Sequence, residues 1–165
     1  MSGATLTITP LDGGALFEVS GRANFETAMP LRDYAEKLSG REVIWFAMKE
    51  CTALDSTFMG VLTMLAMKGK KCSVTIKIFN ANDTLKKLLR DLGIAKLFEF
   101  CDGETDSGNS EKAGVRSDML TTAQTVEEAH IALADAEPEN AGRFRDVIEF
   151  SHKDVENLQK KQNNQ

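Results

Sequence analysis

Three small polar side chains, Asp55, Ser56 and Thr57, stand directly before the apolar run Phe58 to Leu62 in the stretch ALDSTFMGVL. Asp is a strong N-cap residue, so this pattern predicts a helix that begins here. The first backbone N–H groups of a helix have no internal partner, and the helix dipole favours negative charge at that end. A hydroxyl in that first turn has two uses. It can serve local capping only, or it can carry a phosphate whose oxygens accept hydrogen bonds from the free N–H groups. Such a phosphate adds up to about −2 charge and repels or blocks a partner seated over the helix end. Position alone does not separate capping from switching.

Other chemistry finds little support. No phosphate-binding loop of the GxxxxGK[ST] or GxGxxG type occurs, and there is no GxSxG elbow. Ser56 has no identifiable histidine base in the sequence, which argues against a hydrolase triad. His130 and His152 are the two histidines, and both Ser151 and His130 fall on apolar seams as interior polar contacts. Cys51, Cys72 and Cys101 form no CxxC pair and read as small buried thiols of a reduced compartment. The expectation is therefore a protein that is not an enzyme, with no catalytic residue, no metal and no cofactor.

The elements that must position Ser56 follow from periodicity. TLTIT (Thr5 to Thr9) alternates as a strand, and Pro10 with Asp12 to Gly14 turns the chain into a second strand, ALFEVSG. A helical stripe follows at Ala28, Leu31, Ala35 and Leu38, with Thr27 as its cap, Pro30 in its first turn and Gly40 as its end. VIWFAM (Val43 to Met48) is a continuous apolar run of the kind found in sheets covered on both faces. The helix after Asp55 is stopped by Gly69, with Lys68, Lys70 and Lys71 at its negative end. SVTIKIF, then a helix capped by Asn82 or Asp83 and stopped by Gly93, then LFEF complete the pattern. The order is β-β-α-β-α-β-α-β. It predicts an α/β fold with a mixed sheet: strands joined through helices run parallel, and the first hairpin adds an antiparallel edge.

This first unit spans residues 1–101. Residues 102–117, polar and glycine-containing, read as a flexible linker. Residues 118–162 read as a helical hairpin, its seams at Met119, Ala123, Val126, His130, Leu133 and at Phe144, Ile148, Ser151, Val155, Leu158. Pro138 divides the two helices. So narrow a seam must dock on the first domain or on a second copy, which makes a homodimer through the hairpin one expectation.

The 165 residues suffice for one domain with a core, and an apolar share of 42% with 27% charged residues is ordinary for a globular protein. Residues 1–117 hold 15 acidic and 15 basic side chains, while residues 118–165 hold 10 and 5, so the whole net charge of −5 lies in the hairpin. A neutral or acidic surface repels phosphate backbones, which excludes nucleic acid as an expected partner. No apolar run approaches the roughly 20 residues that cross a bilayer, so no membrane insertion is expected. MSGATLTITP has no basic start or apolar h-region, so the expected location is cytoplasmic.

The element order, GRANFET after the second strand and ALDSTFMGVLTML after the third, together resemble the STAS domain, and more narrowly the bacterial anti-sigma factor antagonists. The family motif is Asp-Ser-(Ser/Thr)-Gly-Leu-Gly at a helix start. Asp55, Ser56, Thr57 and Gly60 match it, while Phe58 replaces the usual Gly and Met59 the usual Leu. NANDTLKKLLRDLGIAKLFEF resembles the family's closing helix and strand, so the similarity covers about residues 4–101. The resemblance implies that Ser56, with Thr57 as the alternative, is phosphorylated by a partner that is both an anti-sigma factor and a serine kinase. It implies that unphosphorylated protein binds that partner and frees a sigma factor, that phosphorylated protein lets go, and that a phosphatase resets it. The implied partner surface is Asn24, Asp55, Ser56, Thr57, Phe58, Met59 and Gly60. Asn24 stands where the family often has an acidic residue, and Phe58 either meets the partner or belongs to the core. The alternative function is a STAS accessory subunit, never phosphorylated, of a lipid-transport ABC ATPase or another signalling complex.

Overall fold

The computed structural model describes residues 3–40, 42–105, 111–112 and 118–164. Strands β1 (Thr5–Leu11) and β2 (Gly14–Ala23) form the expected antiparallel hairpin, closed by Gly13 at φ +72°. β2 then pairs in parallel with β3 (Val43–Ala47), β3 with β5 (Ile76–Phe79), and β5 with β6 (Glu99–Cys101). A short strand β4 (Cys51–Leu54) adds to the far end of β2, also in parallel, with register Ala23↔Leu54. β4 is a strand the periodicity did not single out, because four residues carry too little alternation. Of the stretch 102–117 expected to be a linker, residues 106–110 and 113–117 lie outside the described residues. Residues 111–112 pair as β7 with Thr7 and Ile8 on the open edge of β1.

One face of the sheet carries the core. Ala15, Ile44 and Ile76 lie in register across β2, β3 and β5, as do Phe17, Phe46 and Ile78, and all six are buried. Phe17 and Phe46 stack at 5.0 Å. VIWFAM was expected to be covered on both faces. It is so only in part, because Val43 is 40% exposed and Trp45 is half-buried against Phe79 on the opposite side.

The helices α1 (Phe25–Glu36), α2 (Ser56–Lys71) and α3 (Asp83–Asp91) follow β2, β4 and β5. Three boundaries differ from expectation. Asn24, not Thr27, caps α1: its Oδ1 accepts from the N–H groups of Glu26 and Thr27, while Thr27 Oγ1 accepts from the Asn24 N–H at 3.0 Å. Pro30 therefore falls past the first turn and leaves the Glu26 carbonyl without its helical donor. α1 stops at Glu36, and Gly40 serves the following turn at φ +105°. α2 runs through Gly69 to Lys71. Gly69 is there for space, because a Cβ on it would lie 3.2 Å from the Val74 carbonyl oxygen.

α2 is buried on nearly all sides, including Thr57, Phe58, Met59, Gly60, Leu62, Thr63 and Leu65. A helix apolar all round needs cover on two faces. The sheet supplies one, and α4 (Met119–Ala136) supplies the other. The chain then passes through α5 (Glu139–Arg143) to α6 (Arg145–Asn163), which packs back on α4. The turn is pinned to the end of α3. Buried Asn140 donates through Nδ2 to the carbonyls of Leu92 and Leu133, and Arg143 donates to the Asp91 carbonyl. Among the described residues no helix is long and apolar enough to cross a membrane.

Phe58 lies in the core with no exposed surface. Removing its ring should lower the unfolding free energy by about 3–5 kcal/mol. Urea unfolding of Phe58→Ala measures this, and a loss below about 1 kcal/mol would contradict its place in the core.

Candidate functional site

The parallel pairing of β2 with β4 builds the site. The register ends at Ala23 opposite Leu54, so the next residue on each strand, Asn24 and Asp55, caps a helix. Two helix N-termini thus lie side by side, joined by the Asp55 N–H donating to the Ala23 carbonyl at 2.9 Å. Asp55 Oδ1 accepts from the Phe58 N–H at 2.7 Å. Ser56 is the first residue of α2 and is half-buried.

The Ser56 hydroxyl is already engaged. Its Oγ lies 2.8 Å from Nε2 of His130, a residue 74 positions away on α4. His130 Nδ1 lies 2.7 Å from the Val126 carbonyl oxygen. A carbonyl only accepts, so in the neutral ring Nδ1 carries the proton and Nε2 is left to accept from Ser56. The edge of the Phe144 ring closes on the imidazole at 5.0 Å, and His130 is buried. Sequence reading placed His130 on a seam and gave Ser56 no histidine. The periodicity of α4 could locate the histidine on a face, but not the element that face would meet.

Burial pushes the Asp55 carboxyl above its usual range, against the opposing pull of the Phe58 N–H and of His130. Burial also holds the His130 imidazole below the ordinary histidine value, against the opposing effect of the Val126 carbonyl and Asp55. A serine hydroxyl on an imidazole is the first half of a nucleophilic triad. The second half differs: Nδ1 is oriented by a backbone carbonyl rather than a carboxylate, and the Phe58 N–H is taken by Asp55. The arrangement is that of a satisfied, partly buried hydrogen bond.

Two further contacts seat α4 beside this bond. Gly60 faces Ala129 so closely that a Cβ on Gly60 would lie 2.3 Å from the Ala129 carbonyl oxygen. Arg32 of α1 forks onto Glu128, Nε to Oε2 at 2.5 Å and Nη2 to Oε1 at 3.0 Å. That hydrogen bond, with the charge of Glu128, raises the guanidinium above its ordinary value. Of the residues expected at a partner surface, Asn24, Asp55 and Ser56 come together at the paired helix starts. Thr57, Phe58, Met59 and Gly60 are buried beneath the sheet-facing and α4-facing sides of α2. Arg32, Glu128, Ala129 and His130 complete the cluster, and the motif gave no signal for them. Among the described residues no group of three His, Cys, Asp and Glu side chains is placed to hold a metal ion.

No protein-family model and no curated protein sequence matches the chain. Solved structures do. A protein described as a candidate anti-sigma factor antagonist from Thermotoga maritima aligns with a TM-score of 0.50 at 14% identity, over 58% of this chain and 85% of its own. The anti-sigma factor antagonist SpoIIAA in its unphosphorylated form aligns with a TM-score of 0.51 at 10% identity, over 61% of this chain and 89% of its own.

His152 gives an internal contrast to His130, because Glu127 and Glu156 lie against it and raise it above the ordinary histidine value. In an NMR titration of the imidazole protons, His130 should titrate below pH 6.5 and His152 above it. The folded state binds His130's proton less readily than the unfolded chain does. Its stabilising contribution is therefore present above about pH 6.5 and is lost as pH falls from there towards the folded value. For His152 the sign reverses, its contribution being present below that range and lost as pH rises. Coincident titration of the two rings would overturn both assignments. The chain thus carries a STAS-like fold, similar over 58–61% of its length to those of solved anti-sigma factor antagonists.

Proposed function

We propose that this chain is an anti-sigma factor antagonist, a cytoplasmic switch without enzymatic activity. It sequesters an anti-sigma factor that is also a serine kinase, and it releases that partner when Ser56 is phosphorylated. The observation that carries the reading is the Ser56 hydroxyl at the first residue of α2, beside the Asn24 helix start, on a fold similar to that of SpoIIAA. Transfer from ATP would make a bond from Ser56 Oγ to the γ-phosphorus and break that phosphorus's bond to ADP, the hydroxyl proton passing to a base of the kinase. The added charge at the centre of the contact drives release. A phosphatase that hydrolyses the ester restores the binding form. Thr57 is the alternative acceptor, but its burial favours Ser56.

Mass spectrometry of the chain isolated from its own cells tests this. The Ser56 peptide should carry one phosphoryl group, which Ser56→Ala removes while partner capture persists. Ser56→Asp should weaken capture on the order of tenfold or more, about 1.4 kcal/mol. Persistent absence of the modification in cells that contain the kinase would leave the accessory-subunit reading in its place.

The same reading includes self-association through the hairpin. Its outer face leaves Met119 73% and Phe150 71% exposed around a groove of about 660 Å³. Asp146 and Lys161 stand at separate positions along that groove, so an antiparallel second copy brings opposite charges together. Sedimentation should find wild-type dimers that Phe150→Asp converts to monomers, and a monomeric wild type would remove this part of the proposal.

A further inference from the structure

α4 does more than complete a core. Three consecutive residues on it, Glu128, Ala129 and His130, meet Arg32 on α1, Gly60 on α2 and the Ser56 hydroxyl. Together they close the groove between α1 and α2 over the start of α2. The site named above is therefore partly covered by the chain's own helix, which leaves Ser56 half-buried. The cover and a phosphate compete directly. Phosphorylation replaces the hydroxyl hydrogen that His130 Nε2 accepts, so the bond drawn at 2.8 Å no longer has its donor. The phosphate also brings up to about −2 charge beside the half-buried Asp55 carboxyl, whose own charge burial already disfavours.

We propose that α4 is a resident, displaceable cover of Ser56, and that α4 docking and Ser56 phosphorylation exclude one another. The inference rests on Ser56 being the switch residue. Its logic is reciprocal: whatever α4 docking costs the phosphorylated state, phosphorylation costs α4 docking. In the docked form the kinase meets a half-buried Ser56 whose hydroxyl is engaged, so apparent partner affinity is the intrinsic affinity reduced by the fraction of open chains. Once Ser56 is modified, α4 stays off until the phosphate is removed. The anchored turn supplies the hinge. Asn140 and Arg143 hold α5 to the end of α3, so α4 can leave the groove while the hairpin remains attached. The uncovered groove fits a helix that lays a small residue over Gly60 and a carboxylate against Arg32, since α4 does both.

Hydrogen–deuterium exchange of the full chain, read peptide by peptide, tests the cover without a kinase. Gly60→Ala puts a methyl into the Ala129 carbonyl while improving the intrinsic helix propensity of α2. Ser56→Glu puts a carboxylate where the phosphate would sit. Each should speed exchange across 119–136 by about tenfold or more while β3 and β5 keep their wild-type protection. Glu128→Arg should do the same from the outer side of the contact, and adding Arg32→Glu should restore protection by swapping the charges. The cover is overturned if these variants leave 119–136 as protected as wild type. It is equally overturned if β3 and β5 lose protection in step with α4, because α4 is then an inseparable part of the core. The outcome separates cleanly from the proposed function. Ser56-phosphorylated chain with α4 still protected would sink the cover and leave the switch standing. Release of α4 in the variants with no Ser56 phosphate ever found in cells would do the reverse.

Discussion

At Gly60 the backbones of α2 and α4 approach so closely that a single added carbon would lie 2.3 Å from the carbonyl oxygen of Ala129. Everything around Ser56 depends on that approach. It lets α4 settle deep enough for Ala129 and Leu133 to be fully buried, and it brings His130 within hydrogen-bonding reach of the Ser56 hydroxyl. A larger side chain at 60 would lift α4 away and take the imidazole with it. It also explains the apolar surface of α2. Met59, Thr63 and Ala66 are buried on a helix whose other side already faces the sheet. Without α4 that surface would be open to water.

Electrostatics at the paired helix starts work within this packing. Two N-termini lie together because β2 and β4 are parallel and end in register. Each is answered by one short polar side chain, Asn24 for α1 and Asp55 for α2. Asp55 bears the only formal charge of the two caps, and burial disfavours that charge while the Phe58 and Phe25 N–H groups favour it. His130 is held neutral by the same burial. The two groups are thus partly withdrawn from water, and a group that brings two negative charges beside them has a large effect on what stays packed there.

The hairpin is fixed unevenly. At its turn, Asn140 is fully buried and satisfies two carbonyls, and Glu137 lies against Gly93, which sits at φ +71° after α3. Along α4 the contacts are buried apolar packing at Ala129 and Leu133, a close backbone crossing, the Arg32–Glu128 ion pair and one hydroxyl–imidazole bond. The proposed release of α4 must therefore give up this packing while the turn at Asn140 holds.

Much of this was legible in one dimension. Alternation in TLTIT and ALFEVSG fixed the hairpin, and Asp55 before an apolar run marked the start of α2 to the residue. Both follow from local rules, strand period and capping, which need no knowledge of neighbours. Asn24 could have been read as the cap of α1 on the same ground, since Asn with a Thr three residues on satisfies each other's backbone groups. β4 was not legible, because a four-residue strand is decided by the edge of β2 beside it. Above all, the sequence by itself determined that α2 and α4 each carry apolar faces and that Ser56 opens a helix. Only the tertiary structure decided that those faces meet at Gly60 and Ala129 and that His130 rests on Ser56. Periodicity assigns a side chain to a face, whereas the partner of that face is chosen by packing between segments 74 residues apart.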